Sequence, residues 1–173
     1  MIELILGGAR SGKSRHAEQQ AAASHKDVYY IATASAGDGE MSQRIKQHQQ
    51  QRPAHWQTIE EPVQLARVLQ QHDKANRVFL VDCLTLWLSN ILFSDSEHAN
   101  EQRFNHEKQE LLKILPLLSA DIIMVSNEVG QGITPINAMA RRFVDEAGRL
   151  HQDISPLSHT VSFVTAGLIQ QLK

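Results

Sequence analysis

A glycine-rich segment near the start of the chain has the residue types and spacing of a phosphate-binding loop. Residues 7–14 read Gly-Gly-Ala-Arg-Ser-Gly-Lys-Ser, which satisfies the pattern G-x-x-x-x-G-K-[ST] in full. Glycines let backbone N–H groups turn toward phosphate oxygens, and the N-terminus of the next helix adds its positive dipole end. We therefore predict that the loop contacts a nucleotide through Gly7, Gly8, Ala9, Arg10, Ser11, Gly12, Lys13 and Ser14.

Two side chains of this loop have predicted chemical roles. Lys13 should contact the β- and γ-phosphates, and the Ser14 hydroxyl should bind Mg²⁺. The alternative is a chance glycine turn with a surface lysine. A complete pattern, placed between a buried strand and an amphipathic helix, disfavours that alternative.

A second magnesium ligand is expected at the end of a hydrophobic strand. Residues 78–82, Val-Phe-Leu-Val-Asp, place Asp82 at such a strand end. In a parallel sheet this carboxylate lies on the same edge as the phosphate loop, so we predict that it binds the metal. The competing interpretation is a strand-terminal aspartate that caps the following helix.

A stripe of basic side chains is predicted in the segment 40–53. If this segment is helical, Arg44, His48 and Arg52 are spaced i, i+4, i+8 and share one face. Two guanidiniums flanking an imidazole could bind a polyphosphate and hold the imidazole at one phosphorus. A solvated polar face is the other interpretation, and it is common for glutamine-rich helices.

Composition limits the class of protein. The chain has 173 residues, of which 42% are hydrophobic and 21% charged, with a net charge of −2. These values are typical of one globular domain, here residues 1–173, and require neither nucleic acid nor an anionic membrane as a partner. A single cysteine, Cys83, excludes an intramolecular disulfide. The N-terminus resembles no signal peptide, so we expect a cytoplasmic protein without a membrane span.

Short apolar runs alternate with longer amphipathic stretches, which predicts how these residues are positioned. Strands are expected at 2–6, 28–33, 78–82, 121–126 and 160–165, with a weaker candidate at 55–60. Helices are expected at 13–24, 40–51, 62–71, 101–118 and 135–152, and an exposed loop at 94–101. This order predicts a three-layer α/β fold with a mostly parallel sheet, a P-loop NTPase fold of the RecA-like type. Ligands should bind beyond the carboxyl ends of the strands.

A GTPase switch is disfavoured. The candidate guanine-reading segment is Asn127-Glu128-Val129-Gly130 rather than N-K-x-D. The D-x-x-G sequence, residues 145–148, falls inside a predicted helix, where a switch loop could not form. The loop 127–132 follows a strand at the ligand edge, so it could close over the substrate, or only form a tight turn and a subunit contact.

The sequence resembles the bifunctional adenosylcobinamide kinase/adenosylcobinamide-phosphate guanylyltransferase family. The matching segments occur in the family's order over nearly the whole chain. They are GGARSGKSRHAE at 7–18, YIAT at 30–33, Glu40-Met41, Arg44-Ile45, His48-x-x-x-Arg52-Pro53-x-x-Trp56-x-Thr58-x-Glu60, the strand ending at Asp82, NEVG-x-GI-x-P at 127–135, and AGR at 147–149.

The resemblance implies two reactions. Adenosylcobinamide is phosphorylated by ATP or GTP, and GMP from GTP is then transferred to the new phosphate through a guanylylated histidine, which corresponds to His48. It also implies that Glu60 and Asp82 contact the nucleotide. Many relatives carry Glu at the position of Asp82. Similar proteins form trimers with sites between subunits.

Two other functions remain as alternatives. The first is a small-molecule kinase without the nucleotidyl-transfer reaction, in which His48 has no catalytic role. The second is a nucleotide-dependent regulatory protein with no small-molecule acceptor. A covalent adduct with the α-phosphate of GTP would distinguish the first from the bifunctional enzyme. Nucleotide hydrolysis stimulated by a protein partner would favour the second.

Overall fold

The computed structural model describes residues 1–34, 53–93 and 97–173. Within these ranges seven strands form one sheet in the order β3-β2-β4-β5-β1-β6-β7. The strands are β1 Ile2–Gly7, β2 Asp27–Ala32, β3 Gln57–Glu60, β4 Arg77–Asp82, β5 Asp121–Asn127, β6 Thr160–Thr165 and β7 Leu168–Gln171. All six strands expected from the sequence are confirmed, with small shifts at their ends. The predicted helix at 40–51 lies outside the described residues.

The helices in the described residues cover both faces of the sheet. They are α1 Lys13–Ala23, α2 Leu65–Gln71, α3 Leu84–Leu92, α4 Glu97–Ile114 and α5 Ala138–Ile154, and a short 3₁₀ helix, Leu115–Leu117, follows α4. Four of these match predicted helices. The Asn137 side chain caps α5 by accepting hydrogen bonds from the N–H groups of Met139 and Ala140.

Strands β1 to β6 run parallel, and β7 is antiparallel to β6. Strand β7 was not predicted from the sequence. Thr165 pairs with Leu168 across a two-residue turn. Both turn residues have positive φ, 52° at Ala166 and 78° at Gly167, as the tightest hairpins require.

Two apolar layers hold the sheet between the helices. Alternate residues of each strand point to opposite faces, so each face has its own cluster of buried side chains. The α1 face contains Ala17, Tyr30 and Leu80, together with Trp56. The opposite face contains Phe79, and it packs against α2, α3, α4 and α5 through side chains such as Trp87. Both tryptophans, Trp56 and Trp87, are buried.

In the middle of the chain one helix was not predicted and one expectation was wrong. Residues 84–92, for which no element was predicted, form α3, and six of its nine residues are buried. The exposed loop expected at 94–101 is wrong for residues 97–101, which begin α4. Asn100 is buried there, and its Nδ2 donates a 3.0 Å hydrogen bond to the Leu92 carbonyl oxygen. This bond joins the start of α4 to the end of α3.

None of the helices in the described part of the chain is both long and apolar enough to cross a membrane.

Candidate active site

Parallel pairing brings the predicted site residues to one edge of the sheet. Gly7, the last residue of β1, pairs with Asn127 of β5. On β2, Ala32 pairs with Asp82 on one side and with Glu60 on the other. The carboxyl ends of these strands therefore lie along one edge of the sheet, which is where α/β sheets bind their ligands.

The phosphate loop depends on two glycines. A Cβ atom on Gly7 would lie 2.5 Å from the Val164 carbonyl oxygen, so a side chain here would collide with the β6 backbone. Gly12 has φ of 99°, a conformation that L side chains rarely adopt. The Gly167 N–H donates a 2.7 Å hydrogen bond to the Ser11 carbonyl oxygen, which ties the β6–β7 turn to the loop.

The remaining loop residues differ in exposure. Ala9 and Arg10 are exposed at the tip, and Arg10 has φ of 56°. Gly8 and Ser14 are half-buried, which leaves the Ser14 hydroxyl within reach of a ligand at the start of α1. Ser11 is buried, and its Oγ is among the buried polar atoms of the described residues that have no hydrogen-bond partner.

Lys13 is buried at the first position of α1, with 8% of its surface exposed. Its Nζ donates a 2.9 Å hydrogen bond to the Gly8 carbonyl oxygen and so lies across the loop. Burial lowers the pKa of the Lys13 ammonium, and the Coulombic influence of Cys83 and Asp82 partly opposes this shift. Because burial leaves this cation poorly hydrated, phosphate oxygens that take the place of the missing water would stabilise its charged form.

Asp82 ends β4, and its carboxylate accepts a 2.6 Å hydrogen bond from the Tyr30 hydroxyl. The capping interpretation is not what the structure shows, because Cys83 is the N-cap residue of α3 and no side chain caps that helix. Asp82 lies on the α1 face, since it alternates with Val78 and Leu80. The carboxylate is thus on the same side of the sheet as Lys13.

A reciprocal pair of hydrogen bonds fixes the strand ends beside Asp82. Thr33 Oγ1 donates to the Cys83 carbonyl oxygen at 2.7 Å and accepts from the Cys83 N–H at 2.8 Å. Burial raises the pKa of the Cys83 thiol to about 11, and the Asp82 charge adds to the rise. Cys83 is therefore a neutral buried thiol at pH 7.

The structure separates Glu60 from the loop. Glu60 is exposed at the end of the edge strand β3. The strands β2, β4 and β5 lie between β3 and β1, which corresponds to roughly 19 Å at the usual spacing of neighbouring strands. His48 and Arg52, together with Arg44, lie outside the described residues.

A second polar cluster on the opposite face was not predicted. The Ser126 cluster consists of Thr85, Ser126, Glu128 and His151. Ser126 Oγ lies 2.7 Å from His151 Nε2 and 3.2 Å from Thr85 Oγ1, and Thr85 Oγ1 accepts a 2.6 Å bond from the Asn127 N–H. Sequence patterns singled out Glu128 alone, because the other members are single residues spread over three elements.

Glu128 connects this cluster to the phosphate loop. Its N–H donates a 3.0 Å hydrogen bond to the Gly7 carbonyl oxygen. Its Oε1 accepts a 2.6 Å bond from the Gly130 N–H, and its Oε2 lies 3.7 Å from His151 Nδ1. Burial lowers the pKa of His151, while Glu128 opposes the shift. The loop 127–132 thus begins with a tight turn closed by its own carboxylate.

Comparison with a solved structure supports the fold. The chain aligns with the P4 protein from bacteriophage phi6 in complex with ADP at a TM-score of 0.50 and 14% sequence identity. The alignment covers 98% of this chain and 52% of that chain, so this chain corresponds to about half of the phage protein. With the strand order above, it confirms the three-layer, mostly parallel P-loop NTPase fold.

Comparison with known sequences identifies the family. The bifunctional adenosylcobalamin biosynthesis protein CobP of Pseudomonas aeruginosa is 54% identical over 173 residues, covering 100% of this chain and 98% of that protein. The bifunctional adenosylcobalamin biosynthesis protein CobU of Escherichia coli K12 is 39% identical, with 100% of both chains covered. The family model for cobinamide kinase / cobinamide phosphate guanyltransferase matches residues 3–172. The chain therefore belongs to the cobinamide kinase / cobinamide phosphate guanyltransferase family.

Proposed function

We propose that this protein catalyses two successive reactions on one nucleotide site. It phosphorylates adenosylcobinamide with ATP or GTP, and it then transfers GMP from GTP to adenosylcobinamide phosphate, giving adenosylcobinamide-GDP. The observation that carries the proposal is a complete phosphate loop, with a buried Lys13 lying across it, in a chain that matches this family from residue 3 to 172.

In the first reaction the acceptor hydroxyl oxygen attacks the γ-phosphorus, and the bond from this phosphorus to the β–γ bridging oxygen breaks. The backbone N–H groups of residues 7–14 bind the phosphates at the positive end of α1. Lys13 exchanges its hydrogen bond with the Gly8 carbonyl oxygen for bonds to phosphate oxygens. The ammonium then offsets the negative charge that moves onto the leaving diphosphate.

The donor set at the carboxyl edge fits Mg²⁺. Ser14 supplies a hydroxyl and Asp82 a carboxylate on the face of Lys13, and Mg²⁺ prefers such oxygen ligands together with substrate phosphates and water. Ser14 and Asp82 would hold Mg²⁺, and the bound metal would neutralise negative charge on the phosphates.

In the second reaction we propose that His48 carries the guanylyl group. The neutral imidazole attacks the α-phosphorus of GTP, a P–N bond forms, and pyrophosphate leaves as the bond to the α–β bridging oxygen breaks. A phosphate oxygen of the acceptor then attacks this phosphorus and displaces the imidazole. Arg52 would bind phosphate oxygens and Glu60 a part of the nucleotide remote from the loop. The family resemblance supports these roles.

We also propose a homo-oligomer, by resemblance a trimer, that works in the cytoplasm where ATP and GTP are available. Ile133 and Ile136 are each 98% exposed on the loop that follows the tight turn at Glu128. Beside them Phe93, Met139 and Phe143 line an apolar groove of about 520 Å³. Apolar surface of this kind favours contact with a second subunit or with a large substrate.

Labelling with GTP that carries a radioactive α-phosphate tests the covalent step. We expect an acid-labile, base-stable adduct in the native protein that is lost in His48→Ala. The exposed His55 provides a matched control, because His55→Ala should label as the native protein does. An adduct that survives in His48→Ala would disprove the proposed carrier.

Adduct labelling, combined with assays of adenosylcobinamide phosphorylation and of nucleotide hydrolysis, distinguishes the two alternative functions. Protein that phosphorylates adenosylcobinamide but forms no adduct would be a kinase only. Protein that ignores adenosylcobinamide, yet hydrolyses nucleotide faster in the presence of a protein partner, would be a regulatory protein.

A further inference from the structure

We propose that Tyr30 is a positioning residue, whose hydroxyl holds one oxygen of the Asp82 carboxylate so that the other is presented to the metal–nucleotide complex. The inference rests on the metal role proposed above for Asp82.

The contact between the two side chains is short and well enclosed. The Tyr30 hydroxyl donates to Asp82 Oδ2 at 2.6 Å, a distance typical of a hydroxyl bonded to an ionised carboxylate. Tyr30 is 2% exposed and Asp82 is half-buried. One oxygen of Asp82 is therefore fixed from the interior of the protein, and the side chain remains accessible from solvent.

Strand register explains why Tyr30 can reach this carboxylate. Tyr30 pairs with Leu80, two residues before the pair Ala32–Asp82 at the carboxyl edge. Tyr30, Leu80 and Asp82 share the α1 face of the sheet, where Tyr30 belongs to the apolar cluster that also contains Leu80. The ring is thus held by the core, and its hydroxyl points along the sheet toward the edge.

Charge gives this hydrogen bond a consequence for the site. The negative charge of Asp82 raises the pKa of Lys13. The Lys13 ammonium nevertheless donates its hydrogen bond to the Gly8 carbonyl oxygen and not to Asp82. A carboxylate free to rotate toward Lys13 would compete with phosphate oxygens for that cation. By holding Oδ2, Tyr30 keeps Asp82 available for the metal and Lys13 available for the nucleotide.

The chain provides a matched control on the same strand. Its two tyrosines are adjacent, and Tyr29 packs on the other face against Phe79 and beneath the Arg77 guanidinium. Tyr29→Phe removes the same atom from the same strand without touching Asp82. It also leaves Tyr30 as the sole tyrosine of the chain.

The test measures, by electron paramagnetic resonance, the Mn²⁺ affinity of the full-length protein saturated with guanosine 5′-(α,β-methylene)triphosphate, whose α–β bridge cannot be cleaved in the proposed guanylyl transfer. We expect Tyr30→Phe to weaken Mn²⁺ binding roughly tenfold, the lower end for a residue that orients a metal ligand, and Tyr29→Phe to leave it unchanged. In an Asp82→Asn background, Tyr30→Phe should have no further effect. Metal-free affinity for the nucleotide should also fall in Tyr30→Phe, because the released Asp82 carboxylate then competes with the phosphate oxygens for Lys13.

The outcomes separate this inference from the metal role itself. If Asp82→Asn leaves Mn²⁺ affinity unchanged, the metal role fails and the inference fails with it. If Asp82→Asn weakens Mn²⁺ binding but Tyr30→Phe does not, only the positioning role is overturned. Equal weakening by Tyr30→Phe in both backgrounds would also overturn it, because Tyr30 would then act independently of Asp82.

A spectroscopic measurement keeps the inference testable if Tyr30→Phe does not fold. In the Tyr29→Phe protein, ultraviolet resonance Raman reports the hydrogen bonding of Tyr30 alone. We expect the spectrum of a phenol that donates to a carboxylate, and a shift toward a weaker donor in Tyr29→Phe/Asp82→Asn. An identical spectrum in both proteins would contradict the contact.

Discussion

Two polar clusters lie at the carboxyl edge of the sheet, one on each face. On the α1 face, Lys13 and Asp82 carry opposite charges. Lys13 donates its hydrogen bond to the Gly8 carbonyl oxygen, and the oxygen atoms of a ligand could take the place of this acceptor. On the other face, Ser126 and His151 are buried and bonded to each other at 2.7 Å. Burial lowers the pKa of His151 and so favours a neutral ring. The first cluster therefore fits the nucleotide-binding role proposed above, whereas the hydrogen bonds of the second cluster hold the strand end in place.

Removing the cation of the first cluster should have the largest effect. We expect Lys13→Ala to reduce the rates of both reactions by on the order of 10² to 10³-fold, as for other lost donors to developing charge. Phosphorylation and guanylyl transfer measured separately would show this. The exposed Lys74 is the control, and an unchanged guanylyl transfer in Lys13→Ala would contradict a shared nucleotide site.

Breaking the second cluster should affect stability rather than nucleotide binding. Ser126→Ala leaves His151 Nε2 and Thr85 Oγ1 without their shared partner, which costs about 1–3 kcal/mol. Urea unfolding measures the loss. The double variant Ser126→Ala/His151→Leu removes both buried partners and should recover part of it. A large fall in nucleotide affinity with unchanged stability would show that the two clusters are not different in kind.

The pH dependence of stability should also distinguish the clusters. Because burial lowers the pKa of His151 below 6.5, the unfolded chain binds the proton more readily than the folded protein. Stability is therefore retained above pH 6.5 and falls as the pH drops from there toward the lowered pKa.

His151→Gln should make this fall shallower, because the variant lacks the ring that binds a proton more readily in the unfolded chain than in the folded protein. Glu128, the charged group facing the ring at 3.7 Å, partly opposes the effect in the native protein. Urea unfolding between pH 7 and 5 tests the prediction. His55→Gln, at an exposed position, should follow the native curve. If the stability of His151→Gln falls with pH as steeply as that of the native protein, other groups cause the pH dependence.

The smallest expected effect is a gain in protein stability when Lys13 is replaced, although the same replacement should reduce activity. Burial lowers the pKa of Lys13, so its charged form is less favourable in the folded protein than in the unfolded chain. Lys13→Met should therefore stabilise the protein by up to about 1 kcal/mol, a modest figure because the substitution also removes the hydrogen bond to the Gly8 carbonyl oxygen. Thermal unfolding of the nucleotide-free protein measures this. A destabilised Lys13→Met would mean that the bond to Gly8 outweighs the burial of the charge.

Local sequence patterns predicted the strands and the phosphate loop because both depend on short-range properties. A buried parallel strand is a run of apolar residues, and the loop requires glycines at fixed positions. Helix α3 was missed because only one residue separates it from the apolar strand β4, so that the strand and the helix together form one nearly continuous apolar run. Strand β7 was missed because all four of its residues are exposed.

The amino-acid order by itself determined the glycine-rich loop after β1, the alternation of strands and helices, and the family to which the chain belongs. Only the tertiary structure decided which side chains meet at the carboxyl edge. Tyr30 and Asp82 are 52 positions apart, and Ser126 and His151 are 25 positions apart. Such contacts depend on strand register and helix packing, which are set by the burial of the whole core rather than by any local pattern.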